Sequence, residues 1–362
     1  MNFDIEEHPH KKKKNKKLTK KQKYLICVVC LFLVLVFFIV MILFMPREEK
    51  QEEVVPEEVK EETVPEVKKL HVVDEDSRER PIAIMIDNNI GSAKHFGLQD
   101  AYITYEVIVE GGLTRMMAIY KDKDVEKIGP VRSSRHYFLD YALESDSIYA
   151  HFGWSPYAEK DISYLGVNNI NGMVDSDPYW RDSGAVAPHN VFTSTNKLRS
   201  EAKHKGYSSA TDNWKLFQYS VDEIDINSEE SPASVANNIY IPYSYAQSRS
   251  YVYDEANKYY LRSMNQVAHI DGATNNQYHY KNIIIEQVRN FTLDREGRQD
   301  LDTVGSGSGY FITNGYYKPI KWIKDSRSGK TKYTYENGEE VVLNDGNTFI
   351  QIIPTTSVVG IE

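Results

Sequence analysis

The chain has 362 residues, with 43 Lys+Arg against 52 Asp+Glu, a formal net charge of −9 and two cysteines. That length allows roughly two globular domains plus extra segments. Beyond residue 78 there are 28 basic and 37 acidic groups, which argues against a nucleic-acid reader, and with cysteine only at Cys27 and Cys30 a disulfide framework is excluded.

Residues 1–23 form a basic tail of nine Lys and three acids. Residues 24–45, YLICVVCLFLVLVFFIVMILFM, carry neither charge nor proline. As a helix rising about 1.5 Å per residue they cross roughly 30 Å of hydrocarbon. A buried core helix is rarely apolar on every face for so long, so the segment reads as a transmembrane helix. The lysines upstream hold the N-terminus in the cytoplasm, which makes the C-terminal domains extracytoplasmic. No A-x-A cleavage site follows, and neither Cys27 nor Cys30 has the small preceding residue of a lipid-attachment site; an uncleaved signal anchor is expected. Residues 46–78 repeat Glu-Val-Pro units without an aromatic residue and are expected to form an extended, disordered stalk.

Regular patterning begins at Arg80. Pro81 to Asp87 reads as a strand, and YITYEVIVEGGLTRMMAIYK as two apolar strands around Gly111-Gly112. After Gly129-Pro130, Ser133 or Ser134 can cap a helix whose apolar face holds Tyr137, Phe138, Tyr141 and Ala142. SIYAHFG reads as a strand, and Pro156 to Tyr164 as a short helix. Residues 227–238 look like a linker. Beyond them only strands recur, separated by Asn-Gly and Asp-Gly turns. The expected fold class is an α+β (or mixed α/β) N-terminal exported domain over 79–226, followed by a mainly β C-terminal domain over 239–362, with one N-terminal transmembrane helix.

Two groups of residues carry candidate chemistry. In the first, Arg115 follows the Gly-Gly turn, and Arg132 and Arg135 flank Ser133-Ser134 at a helix start, a combination suited to a phosphate or carboxylate. Their i,i+3 spacing can direct both arginines to one side. Glu106 and Glu110 are the competing structural partners, either of which could pair with Arg115 across the hairpin. In the second, HFGWSPYAEKD and YWRDSGAVAPHN bring His151, Trp154, Arg181, Asp182, His189 and Asn190 into turn-rich sequence, a mixture that can line sugar or peptide grooves. Metalloprotease, Walker, nucleophile-elbow and dinucleotide-binding signatures are all missing, and neither a cofactor nor a metal site is expected.

RPIAIMIDNN, YEVIVEGGLTRMMAIY, IGPVRSSRHYFLD, HFGWS, WRDSGAVAPHNVFTS and the terminal TNGYYKPIKWIK…NDGNTFIQIIP together resemble the YerB-like family, bacterial envelope proteins built on a domain of unknown function with N- and C-terminal parts. The resemblance implies an envelope location and contact with peptidoglycan-synthesis proteins, and it carries over no catalytic residue. At the level of fold order the chain is also similar to LytR-CpsA-Psr phosphotransferases, for which Asp87, Arg115, Arg132 and Arg135 are the matching residue types, although that family's own signature is missing. The expected function is a non-catalytic binding or scaffold module at the cell wall. It would act through its arginines on an anionic cell-wall polymer, or through a protein partner, with the membrane and not nucleic acid as its other contact. The alternative is an enzyme acting on a phosphate-bearing or glycan envelope polymer.

Overall fold

The structure, a computed structural model, describes residues 19–45, 68–89 and 94–362. The expectations for most of the basic tail and for stalk residues 46–67 lie outside the described residues. Helix α1 (Lys20–Leu43) has no buried residue, contains an 18-residue stretch with a mean hydropathy of 3.6, and is long and apolar enough to cross a membrane. It starts four residues before the uncharged run, where Thr19 and Gln22 form a capping box. Cys27 and Cys30 are free and exposed on it.

Residues 67–362 form a second unit. Its chain order opens with β1 (Ile82–Asp87), β2 (Ile103–Ile108), β3 (Thr114–Tyr120), α2 (His136–Glu144), β4 (Ile148–His151), α3 (Pro156–Tyr164) and β5 (Asn169–Asn171), then β6 (Trp180–Arg181), β7 (Val191–Phe192) and α4 (Thr195–His204). Every residue of β1, β2 and β3 is buried, as expected of strands covered on both faces. β1 pairs antiparallel with β3 and parallel with β4, and β2 pairs antiparallel with β3.

The mainly β half joins the same sheet. Strand Thr348–Pro354 lies parallel to β2 on one side and to Asn282–Val288 on the other; Gly305–Thr313, Tyr316–Lys324 and Lys332–Tyr335 continue outward. The N-terminal α+β segment and the mainly β segment are therefore distinct in composition yet share one eleven-stranded sheet among the described residues. One face of it packs against α2 and α3 through Tyr137, Phe138, Tyr141 and Ile162. The other packs against α4 and a second sheet containing Asn238–Pro242, Ser248–Asp254 and Tyr259–Met264. An apolar side chain of Phe138's size, fully buried, contributes about 1.5–3 kcal/mol.

Two local expectations are corrected. The N-cap of α2 is Arg135, not a serine, and it makes no side-chain capping bond; the Ser134 hydroxyl instead accepts from Tyr149 Oη at 2.8 Å. The folded part also begins earlier than charge patterning indicates. Val72 and Val73 are buried in the core, and the Asp345 carboxylate accepts from the backbone N–H groups of His71 and Val72.

Candidate functional site

Strand register decides which charges can meet. In the β1–β3–β2 ladder Arg115 lies opposite Asp87 and Val107, whereas Glu106 lies opposite Met116. Side chains alternate across a sheet, so Asp87 and Arg115 project from one face and Glu106 from the other. The expected Glu106–Arg115 pair does not form for this reason. Glu110 has left the strand for a single 3₁₀ turn, Glu110–Gly112, and there it grips Arg135 through two bonds, Nε to Oε1 at 2.5 Å and Nη2 to Oε2 at 2.8 Å.

On its own face Glu106 meets two arginines from the second sheet. Arg249 Nε reaches Oε1 at 2.6 Å and Arg262 Nη2 reaches Oε2 at 2.7 Å, and all three side chains are fully buried. Asn88 and Thr114 each donate to Oε1 at 2.7 Å. Burial pushes the Glu106 carboxyl upward, but Arg249 and Arg262 together reverse this and hold it below the ordinary range. Both guanidinium groups stay charged around a charged carboxylate.

A directional chain of hydrogen bonds leaves this centre. Arg262 Nη1 bonds His269 Nδ1, His269 Nε2 lies 2.8 Å from His95 Nδ1, and His95 Nε2 lies 2.6 Å from the Asp87 carbonyl oxygen. Guanidinium only donates and a carbonyl only accepts, so each imidazole must accept at Nδ1 and donate at Nε2. Both histidines are thereby neutral. Burial agrees, lowering His95 to about 4 and His269 well below its ordinary value.

The relay ends on the backbone of Asp87, whose side chain heads the other cluster. His189 Nδ1 is 2.5 Å from Asp87 Oδ2, and Arg132 Nε is 3.7 Å from the same oxygen. Arg115 Nη1 donates to the Ser133 carbonyl at 2.7 Å. Arg132 is placed by its backbone, its N–H bonding Met85 O and its carbonyl accepting from Phe152 N–H, each at 3.0 Å. His189 is placed by Asn190, whose amide donates to the Asp182 and Ala185 carbonyls and accepts from Arg181 Nη1. Asp182 also pairs with Lys127 at 2.6 Å. Burial, with Arg135 and Arg132 nearby, lowers Arg115 to about 10. The Nε atoms of Arg115 and Arg132 are both buried without a hydrogen-bond partner. Arg132 and His189 keep 26% and 21% of their side-chain surface, so the cluster opens to solvent through them.

Of the fourteen sequence candidates, Asp87, Arg115, Arg132, Ser133 and His189 come together, with the Glu110–Arg135 pair beside them. Glu106 belongs to the buried centre. Arg181, Asp182 and Asn190 shape the loop that carries His189. His151 is fully buried, its Nδ1 donating to Gly153 O at 2.8 Å, and burial lowers it to about 4; Trp154 packs on it at 5.7 Å between ring centres. Ser134 lies behind them beside Tyr149. Among the described residues no group of three His, Cys, Asp or Glu could hold a metal ion.

Two family models, described as the N-terminal and C-terminal domains of a protein of unknown function (DUF3048), match residues 70–208 and 239–350. The chain belongs to the DUF3048 family. It is 29% identical over 309 residues to YerB of Bacillus subtilis (strain 168), which is named as a lipoprotein; the match covers 84% of this chain and 90% of YerB. The crystal structure of the Bacillus subtilis YerB protein superposes with a TM-score of 0.68 at 28% identity, covering 78% of this chain and 94% of that one. The YerB-like resemblance read from the motifs is thus shown.

Both parts of this DUF3048 chain supply the charged centre, which explains what residue reading missed. Arg249 and Arg262 sit two residues from Tyr251 and Tyr260, on the inward face of their strands. That two-residue spacing was the available signal. His95 and His269 are 174 positions apart and carry no local signal at all.

Proposed function

We propose that this DUF3048 chain is a membrane-tethered, extracytoplasmic, non-catalytic binding module that takes an anionic group of a cell-wall polymer at Asp87, Arg115, Arg132 and His189. The supporting observation is the pair of buried, unpartnered guanidinium Nε groups on Arg115 and Arg132. Three arginines there face two carboxylates, Asp87 and Glu110, leaving a positive excess. A buried donor without a partner costs about 1–3 kcal/mol, which an incoming phosphate or carboxylate oxygen would recover.

Titrating the full-length protein in detergent micelles with poly(glycerol phosphate) tests this. Arg132→Ala is expected to weaken binding about ten- to hundredfold, the equivalent of one charge-assisted contact. The thermal midpoint should move by no more than about 2 °C, since Arg132 is partly exposed and 3.7 Å from its nearest carboxylate. Unchanged affinity in the variant, or no binding by the parent, would overturn the reading.

The orientation is part of the same proposal. Nine lysines precede the uncharged run 24–45, which supports an orientation with the bulk of the chain outside. Protease added to intact, wall-stripped cells is expected to digest the 79–362 portion and spare a small N-terminal fragment; protection of that portion means the opposite orientation.

One feature favours a second reading, an enzyme working on a phosphate-bearing polymer. Asp87 orients His189 at 2.5 Å beside two arginines, the arrangement of a general base with its positioning carboxylate and charge-stabilising groups. If it applies, the protein releases glycerol phosphate from that polymer and His189→Gln lowers the rate at least 100-fold, within the usual range for losing a general base. Absence of any release by the parent protein eliminates it.

A further inference from the structure

A cleft of about 570 Å³ opens beside α3 and β5, lined by Trp154, Glu159, Val167, Asn171, Asp175 and Lys205 among others. That volume lies within the range of small-ligand sites. Its wall holds a donor that no protein acceptor meets. Asn171 is 2% exposed, and its Oδ1 accepts from the backbone N–H of Gly153 at 2.9 Å and of Met173 at 3.1 Å. Two backbone N–H groups can be met only by oxygen, so the amide orientation is fixed and Nδ2 faces away from them. Among the described residues Nδ2 makes no hydrogen bond, and neither does the indole N–H of Trp154.

Of the remaining polar groups of the cleft, Asp175 and Lys205 are paired with each other, while Glu159 is exposed and makes no ion pair among the described residues. Lys205 Nζ holds both Asp175 oxygens, at 2.9 and 2.8 Å, and Asp175 Oδ2 also accepts from Asn171 N–H at 3.0 Å. The cleft therefore offers two spare donors, the Glu159 carboxylate, and an apolar lining with an aromatic ring. Such a wall suits a ligand that presents oxygen acceptors and a flat apolar face.

β5 is an edge strand, which raises the competing occupant, an extended peptide added to the sheet. Its outer edge is largely closed. Tyr207 Oη donates to Asn169 O at 3.1 Å, the Asn171 carbonyl accepts from the N–H groups of Val174 and Asp175, and the Asp175 carboxylate takes the Asn171 N–H. A peptide would find only the Asn169 N–H there. A pyranose needs no backbone partner.

We infer that this cleft is a glycan subsite, in which an uncharged pyranose unit stacks on Trp154 and accepts from Asn171 Nδ2 through a hydroxyl or acetamido oxygen. The inference is independent of the anion site, and it assigns the uncharged part of an envelope polymer to a second place on the molecule.

The test uses full-length protein in detergent micelles and a β-1,4-linked N-acetylglucosamine tetramer as probe, followed by calorimetry. Saturable binding by the parent is expected. Asn171→Asp keeps an oxygen for Gly153 and Met173 but removes the spare donor, and is expected to weaken binding at least about tenfold. Trp154→Ala should do the same, and Trp154→Phe, which keeps a ring in the core-facing position, should retain part of the affinity. Arg132→Ala should leave it unchanged, which separates this site from the anion cluster. No saturable binding by the parent overturns the inference, as does parental affinity in both Asn171→Asp and Trp154→Phe together. Displacement of the tetramer by an unstructured peptide at equal concentration would assign the cleft to peptides instead.

Discussion

Replacing Glu106 by Gln is expected to cost about 3–5 kcal/mol of folding stability, because it leaves two charged guanidinium groups without their shared carboxylate in a site no water reaches. At about 2–4 °C per kcal/mol that lowers the thermal midpoint by roughly 6–20 °C. The companion experiment separates charge from packing. Glu106→Leu, Arg249→Met and Arg262→Leu introduced together remove every member of the triad, and such a replacement is often neutral or better when the volumes fit. The triple variant should regain most of what Glu106→Gln loses. Urea unfolding of the three proteins checks both points. A Glu106→Gln variant within about 1 kcal/mol of the parent would mean that Arg249 and Arg262 find compensation elsewhere.

That centre also shows where residue reading succeeds and where it stops. Helix α3 was legible to the residue, and the recurrence of strands beyond residue 239 was also legible, since local periodicity and turn chemistry define them. The β2–β3 hairpin was legible as well, but its register was not. A slip of one position decides whether Glu106 faces Arg115 or Met116, and nothing in the Gly-Gly turn reports it. The insertion of Thr348–Pro354 between β2 and Asn282–Val288 rests on parallel pairing across some 240 residues, which leaves no short-range trace. Among the site residues, Arg132 and Arg135 stood out because they flank a helix start. Equal spacing suggested equal roles, yet one is bound to Glu110 and the other stands by Asp87 with a free Nε. Which arginine has a partner is a tertiary fact. His189 was grouped with His151 by composition, whereas the loop tied by Asn190 carries it to Asp87 instead.

Acid should destabilise the folded unit through its buried histidines. His95 and His151 are held neutral by burial, each lowered to about 4, and burial likewise lowers His269 well below its ordinary value. In the unfolded chain these imidazoles take a proton near pH 6.5. Between about pH 6.5 and 4 the unfolded state therefore binds more protons, and stability falls as pH falls, by about 3 kcal/mol for each of the two histidines at about 4. Glu286 acts in the opposite sense. Burial raises it to about 7, so the folded state takes its proton first, and stability gained between about pH 7 and 4.5 offsets roughly one histidine. Over the three histidines and Glu286 the slope remains a loss. His95→Gln isolates the contribution of the relay, since a glutamine can accept from His269 with its oxygen and donate to the Asp87 carbonyl with its amide, the same polarity as the neutral ring. Its stability should fall less steeply than the parent's, by about 1.4 kcal/mol per pH unit between pH 6 and 4.5. Urea midpoints measured at half-unit intervals give both slopes, and parallel curves would mean that His95 is not the neutral link between Arg262 and Asp87. Because the Asp87 carbonyl ends that relay while its carboxylate holds His189, protonating the relay presses directly on the backbone of the proposed anion site, so polymer binding by the folded parent should weaken only as pH falls to about 4, and less in His95→Gln.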